Sequence, residues 1–352
     1  MKFQAVDRIP LMDMGVWDET LARWHHEGLP RWVTSLRHLE DYLRLDRSFN
    51  VNWLPINGDV YPPFETKVIE DTRDEQVVSD AMGVVYRQRK SHRTIPHYIR
   101  FPVSTEADYE KLRPRLNGSD PGRYAPDFDE DLHWRRKRGE IIGANFRAFF
   151  GFPRMLMGLE NLCTAYYEQP DLVRRMIADR VQFGKDVFKR VLATGALDFV
   201  QVWEDMAYKT APLISPKLVR ELMQPAYEEL VSFLRAGGVQ LIMVDCDGRV
   251  NDLLPIYIEA GIDGTHPCEI AAGADPTELR RRCPRCALMG GVDKRVVATG
   301  RAGVDAELRR LEPLWREGAF IPLIDHFIPP DISYDTYVYF VERRRELFSN
   351  PP

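Results

Sequence analysis

From residue 140 onward the chain repeats one unit: a short apolar run, a polar turn, then a stretch with apolar residues at helical spacing. Runs of this kind that alternate with amphipathic helices predict a parallel sheet. The runs at 140–150, 196–203, 239–245, 262–266, 287–291 and 319–325 are the expected strands. Helices are expected at 155–167, 171–193, 216–236, 250–260, 276–282, 294–315 and 333–347. Ser215-Pro216 is a helix start, because a serine side chain can accept a free amide and proline suits the first turn. Gly237-Gly238 is the matching stop.

The first half is less regular. Segments 8–17 and 47–56 read as the first two strands, and 65–89, with Met82-Gly83 within it, reads as an antiparallel hairpin. Eight strands in a βα order predict an α/β fold, a TIM-type (β/α)₈ barrel. A bare barrel takes about 250 residues. The 352 residues therefore suit a single domain over 1–352, with an N-terminal extension and the hairpin inserted at about 60–100. There is no repeat of short period, no low-complexity segment and no Gly/Ser linker.

Composition narrows the partners. The chain is 44% hydrophobic and 29% charged with a net charge of −5, so it lacks the basic surface of a nucleic-acid binder. The one dense basic run, Arg135-Arg136-Lys137-Arg138, reads as a solvated loop before a strand, with an anion or partner patch as the alternative. Asp7, Arg8 and Asp13 interrupt the N-terminus, which is neither a signal peptide nor a membrane span; a cytoplasmic protein with no membrane or nucleic-acid partner is expected. Five irregularly spaced cysteines suit a reducing compartment.

In such a barrel the chemistry lies where strands end. The strand ends here are rich in ionisable groups: Glu204 and Asp205; Asp245, Cys246, Asp247 and Gly248; His266, Cys268 and Glu269; Asp293 and Lys294; Asp325 and His326. Carboxylates crowded into one mouth raise one another's pKa unless a cation offsets them. That points either to a metal held by carboxylate and imidazole or to an acid/base pair. The structural alternative is helix capping, which fits Asp247 and Asp293 as well as chemistry does. Cys283-Pro284-Arg285-Cys286 precedes a strand, so it belongs to the opposite end of the barrel, and no second pair completes a zinc knuckle. Gly290-Gly291 reads as a place of close ligand approach or as a tight turn. Of the aromatic residues in or beside strands (Trp17, Trp24, Trp53, Phe146, Phe149, Phe150, Phe152 and Trp203), Trp17, Phe149 and Trp203 are the candidates to line a pocket for a ring-shaped substrate.

The segments DRIP (7–10), FFGFPRMLMGLENL (149–162), WEDMAYKTAPLISP (203–216), VDCDGRV (244–250), GGVDKR (290–295) and IPLIDHFIPPDIS (321–333) resemble the uroporphyrinogen decarboxylase-like superfamily, over residues 7 to about 348. The arginine-rich stretch that follows the DRxP segment in true uroporphyrinogen decarboxylases is replaced here by LMDMGVWDETLARW. The resemblance therefore favours the corrinoid-dependent methyltransferase branch. In thiol-methylating members zinc is bound by a His-x-Cys pair and a later Cys; those positions fall here on Asp245, Asp247 and the Asp325-His326 pair. Their acidic and imidazole character is closer to that of the aryl methyl ether O-demethylase relatives.

Three readings follow. The first is a zinc-dependent methyltransferase, moving a methyl group from a small-molecule O-methyl donor to a corrinoid (cobalamin) protein. Asp245, Asp247, Glu269 and His326 are its candidate metal ligands. Glu204, Asp245 and Asp325 are its candidate catalytic groups, and Trp17, Phe149, Trp203, Asp293 and Lys294 its candidate substrate contacts. The second is a cofactor-free decarboxylase acting on another carboxylate, with Arg147, Lys209, Lys294 or Arg295 holding the anion. The third is a non-catalytic binding barrel, which leaves the charge at the strand ends unexplained.

Overall fold

The computed structural model describes residue 3 and residues 8–48, 53–90 and 96–348. Six parallel strands form its centre: β5 (Gly143–Arg147), β6 (Phe199–Trp203), β7 (Leu241–Asp245), β8 (Gly264–Cys268), β9 (Ala287–Val292) and β10 (Phe320–Ile324), each bonded to the next in chain order. Helices between them cover the outside, the longest being Pro170–Leu192 and Arg301–Glu317. The strand period of two sets the faces. Val200, Val202, Ile242 and Val244 turn outward and are buried under helices, and Phe146 meets Phe183 and Phe188 of Pro170–Leu192. Gln201, Trp203 and Asp245 take the other face.

The two strands expected in the N-terminal region are only partly ladder-like. Val16 bridges Ile328 and Trp53 bridges Gly143, each at a single residue and each parallel. Residues 49–52 of the second lie outside the described residues. Side chains do the work of a ladder in the first. The Asp46 carboxylate accepts the Leu11 amide at 2.8 Å, and the Asp13 carboxylate accepts the Ile324 amide at 3.1 Å. Asp13 is also fully buried against Arg344 at 2.7 Å and Tyr337 at 2.8 Å, which ties the segment to the closing helix Tyr334–Phe348. A period-2 pattern does not show this kind of closure, because it uses side chains far apart in sequence.

Four other expectations are adjusted. The inserted element is a four-stranded antiparallel sheet, β1 (Lys67–Asp71), β2 (Glu75–Ser79), β3 (Val85–Arg89) and β4 (His97–Arg100), rather than one hairpin. The basic run at 135–138 ends the helix Phe128–Lys137, where positive charge complements the helix dipole, and Arg136 pairs with Asp198 at 2.9 Å. The helix after Ser215 begins as foreseen, Ser215 accepting the Leu218 amide, but passes through a π turn at Val219–Met223. Pro225, which has no amide proton to donate, stands just beyond that turn. Gly290 and Gly291 lie within β9 at φ +110° and +78°; a Cβ would come within 2.6 Å of the Cys268 amide nitrogen and 2.5 Å of Pro276 Cγ respectively. They permit close packing of the protein on itself, which is neither of the uses proposed for them.

A cavity of about 550 Å³ opens at the strand-start end, lined by Ile9, Phe199, Leu241, Met289, Trp315 and Phe320. The free thiols of Cys283 and Cys286 are at this end too, just before β9. The acidic groups lie at the other end. Among the described residues no helix is long and apolar enough to cross a membrane.

Candidate active site at the strand ends

Parallel strands in register bring their last residues to one level: Arg147, Trp203, Asp245 and His266 are successive partners across β5 to β8. The loops leaving that level converge. Asp205, Asp245 and Asp247 each offer a carboxylate oxygen within 4.8 Å of the others, the one such group of metal-donor side chains among the described residues. The Asp247 amide donates to Asp205 Oδ1 at 3.2 Å, and the Gly248 amide to Glu269 Oε2 at 3.1 Å. Gly248 sits at φ +89°, and a Cβ there would lie 2.6 Å from the Ala207 carbonyl oxygen, so the Asp-Cys-Asp-Gly turn requires glycine. Asp205 itself has φ +44°, a region that aspartate tolerates better than most residues do.

This crowding shows in the acidities. Burial and then the Asp247 charge raise Asp205 from 3.8 to about 6. Burial, followed by the charges of Asp205 and Asp247, pushes Asp245 well above the ordinary carboxylate range, although Gln201 Nε2 donates to it at 2.5 Å. His326 Nε2 stands 3.6 Å from Asp247 Oδ2. Burial acts to lower the His326 pKa, but the Asp247 carboxylate outweighs it and the net shift is upward. His266 is fully buried and held down to about 3, so it is neutral.

Cations border the cluster. Lys294 Nζ is 3.3 Å from Asp325 and 3.6 Å from Glu269. Asp325 is fully buried and also accepts the Ile270 amide at 3.0 Å; burial raises its pKa and Lys294 opposes the rise. Arg154 donates to the Asp205 carbonyl at 2.8 Å and lies 6.0 Å from the Trp203 ring, with Arg147 over the same ring at 5.8 Å. Arg147 also pairs with Asp59.

The residues singled out from sequence divide accordingly. Asp245 and Asp247 meet, with Asp205 as their third member; Glu269 and His326 stand beside them. Glu204 has no exposed surface, and its carboxylate accepts the amides of Phe149, Phe150 and Gly151 at 2.7–3.0 Å and the Tyr227 hydroxyl. It holds the loop after β5 and does not face the mouth. Phe149 is sealed against Tyr227 with ring centroids 4.9 Å apart, so it lines no pocket. Asp293 caps the helix Lys294–Val297 and pairs with Arg295 at 2.6 Å, whereas Asp247 makes no capping contact. Trp17 is exposed and stacks on His326 at 6.4 Å, and Trp203 is half-buried at the rim. Lys209 lies over Tyr208 in solvent. Gln201 and Arg154 were passed over. An inward-facing glutamine in the otherwise apolar stretch 199–203 was the available signal for one; nothing local marked the other.

The donor set suits a divalent ion. Three carboxylates and a nearby imidazole are hard or borderline ligands. The Cys246 sulfur is engaged by the Met206 amide at 3.3 Å and is buried, so the set contains no thiolate.

A solved methyltransferase from Methanosarcina mazei superposes on the chain with a TM-score of 0.57 at 13% identity, over 97% of this chain and 95% of that one. A structure described as a vitamin-B12-independent methionine synthase from Listeria monocytogenes gives a TM-score of 0.39 at 9% identity, over 63% of this chain and 69% of that one. No curated protein sequence matches the chain. The uroporphyrinogen decarboxylase (URO-D) family model matches residues 74–347. That match runs from the inserted sheet through all six parallel strands to the closing helix, and the chain belongs to the uroporphyrinogen decarboxylase (URO-D) family.

Proposed function

We propose that the protein is a metal-dependent methyltransferase of this family, taking a methyl group from an O-methyl donor and passing it to a corrinoid carried by a partner protein. The observation that carries the reading is the convergence of Asp205, Asp245 and Asp247 at the mouth, with His326 3.6 Å from Asp247. The resemblance of the sequence to corrinoid-dependent relatives supports the donor and acceptor classes, and it names zinc as the ion.

A divalent ion bound by the three carboxylates would supply Lewis acidity toward the oxygen that loses its methyl group. The chain's own residues do the rest. Trp17 and Trp203 offer apolar walls for the donor. Lys294, fixed by Asp325 and Glu269, places positive charge beside the mouth. His326, its pKa raised by Asp247, is a proton source for the departing oxygen. The O–CH₃ bond breaks with its electron pair on oxygen, that oxygen takes the proton, and the methyl group goes to the acceptor. Glu204 fixes the loop at 149–151 from behind.

The test mixes the purified chain with reduced cobalamin and a panel of methoxy compounds, and follows the cobalamin spectrum with and without chelator. Methyl transfer that chelation abolishes supports the reading; transfer that survives a full chelator treatment removes the metal from it. A second reading, decarboxylation, is favoured by Lys294 and Arg154 at the mouth, which can hold a substrate carboxylate. Release of CO₂ from a carboxylate substrate with no methyl transfer decides for it.

A further inference from the structure

The inserted sheet ends on a strand that carries exposed apolar groups. β1 (Lys67–Asp71) is exposed at every residue, with Val68 and Ile69 at 57% and 54%. It pairs with β2 alone, so among the described residues no main chain lies against its outer edge. Unpaired amides and carbonyls beside exposed apolar side chains are a template for another strand. Charges and bulges ordinarily blunt such an edge, and β1 has both. Here they are arranged to fit a second copy.

The bulge sets the faces. Lys67 lies opposite Ser79 and Glu70 opposite Val77, while Val68 and Ile69 share the position between. Ser79 and Val77 are two residues apart on β2, so Lys67 and Glu70 are on one face although three apart in sequence. Glu70 accordingly reaches Arg87, the partner of Val77 on β3. Two copies of β1 laid antiparallel about an axis between Val68 and Ile69 then match twice over. Lys67 of each stands across from Glu70 of the other on the same face, and Val68 stands across from Ile69. Opposite charges and apolar pairs directly across an antiparallel ladder are both stabilising. The two bulges meet at the axis, so the pairs on either side stay in step. The contacts that Lys67 makes with Glu65 at 2.8 Å and Glu70 with Arg87 at 4.0 Å are between exposed side chains and exchange readily.

The other edge has no such match. β4 (His97–Arg100) exposes Tyr98 and Ile99 and has its own bulge, but the same construction sets Arg100 across from His97, basic against basic. Joining β1 of one copy to β4 of the next would leave an edge free at each end and grow without limit, whereas a two-fold contact closes at two chains.

We propose that two copies of this chain associate through β1, antiparallel about an axis between Val68 and Ile69, to join their inserted sheets into one. The contact uses neither the acidic mouth nor methyl transfer, and it stands apart from the proposed function. A strand pair is a small interface, so the association is expected at roughly 10–100 µM chain.

Sedimentation velocity of the full chain, from low to high micromolar concentration, is the test. Wild type passes from monomer to dimer and goes no further. Lys67→Glu and Glu70→Lys each set like charges across the axis and weaken the dimer at least fivefold. The double variant K67E/E70K restores opposite charges and returns to within twofold of wild type. An equimolar mixture of the K67E and E70K chains forms a mixed dimer, since every charge then faces its opposite. Asp71→Lys, on the other face, and Arg100→Glu, on the other edge, change the association less than twofold. Hydrogen exchange on wild type, which needs no variant, slows at 67–70 as concentration rises; thermal melts identify any variant that misfolds. The proposal is overturned by a wild-type chain that stays monomeric, by a dimer that K67E and E70K leave unchanged, or by assembly that continues beyond two chains. It is overturned equally by losses that neither the double variant nor the mixture recovers, or by a loss in D71K or R100E that matches the loss in K67E.

Discussion

Replacing Asp205 by Asn should stabilise the metal-free protein at alkaline pH and weaken it once metal is present. The folded chain holds the Asp205 carboxyl at about 6 against 3.8 ordinarily, through burial and the Asp247 charge. Two pH units at 1.36 kcal/mol each give about 3 kcal/mol. The side chain is 20% exposed, and solvent screening reduces this to about 2 kcal/mol. The sign follows from proton binding. Between pH 4 and 6 the folded state holds the proton more tightly than the unfolded state, so stability falls as pH rises through that window. Asn carries no charge, tolerates the φ of +44° and keeps an oxygen for the Asp247 amide. In EDTA at pH 8, D205N should therefore melt a few degrees above wild type, and the gap should close near pH 4. Saturating Mn²⁺ should reverse the order, since a ligand at a hundred times its Kd adds about 2.7 kcal/mol to the protein that binds it. Differential scanning calorimetry at both pH values reads all of this. If D205N is less stable than wild type in EDTA at pH 8, the electrostatic crowding is not there.

Three further outcomes are expected. Glu204→Ala leaves three buried amides and the Tyr227 hydroxyl without their acceptor and should cost about 3 kcal/mol or more, with hydrogen exchange at 149–151 rising above that of the neighbouring strand; unchanged exchange there would contradict its positioning role. Arg344→Met strands the buried Asp13 carboxylate and should cost about 3–5 kcal/mol in urea unfolding; an unchanged midpoint would contradict the role of the pair in closing the fold. His266, neutral in the fold because its pKa is held to about 3, protonates only on unfolding in mild acid, so stability should fall as pH drops from about 6.5 toward 3; His266→Gln should flatten that limb of the stability curve.

The repeating half of the barrel was legible because its signals are local. Alternation of apolar runs with helical spacing, Ser215-Pro216 and Gly237-Gly238 all act within a few residues. The N-terminal closure was not, because Asp46 and Asp13 satisfy amides more than thirty and three hundred residues away. At the site, the strand-end rule found Asp245 and Asp247 but could not rank Asp205 against Glu269. That choice depends on which oxygens the Gly248 amide and Lys294 already occupy. The place of Glu204 was hidden for a related reason: a strand-end acid whose carboxylate accepts the amides at 149–151 and the Tyr227 hydroxyl looks the same in sequence as one that points into the mouth. Gln201 was hidden in a strand whose overall apolarity fixed its structure and masked its one polar side chain.

The most direct measurement is a crystal soaked in Mn²⁺ and collected for anomalous scattering. The account requires a single strong peak between the ends of β6 and β7, in contact with Asp205, Asp245 and Asp247. A map with no peak there, or with the ion bound instead near Cys283 and Cys286 at the opposite end of the barrel, contradicts it.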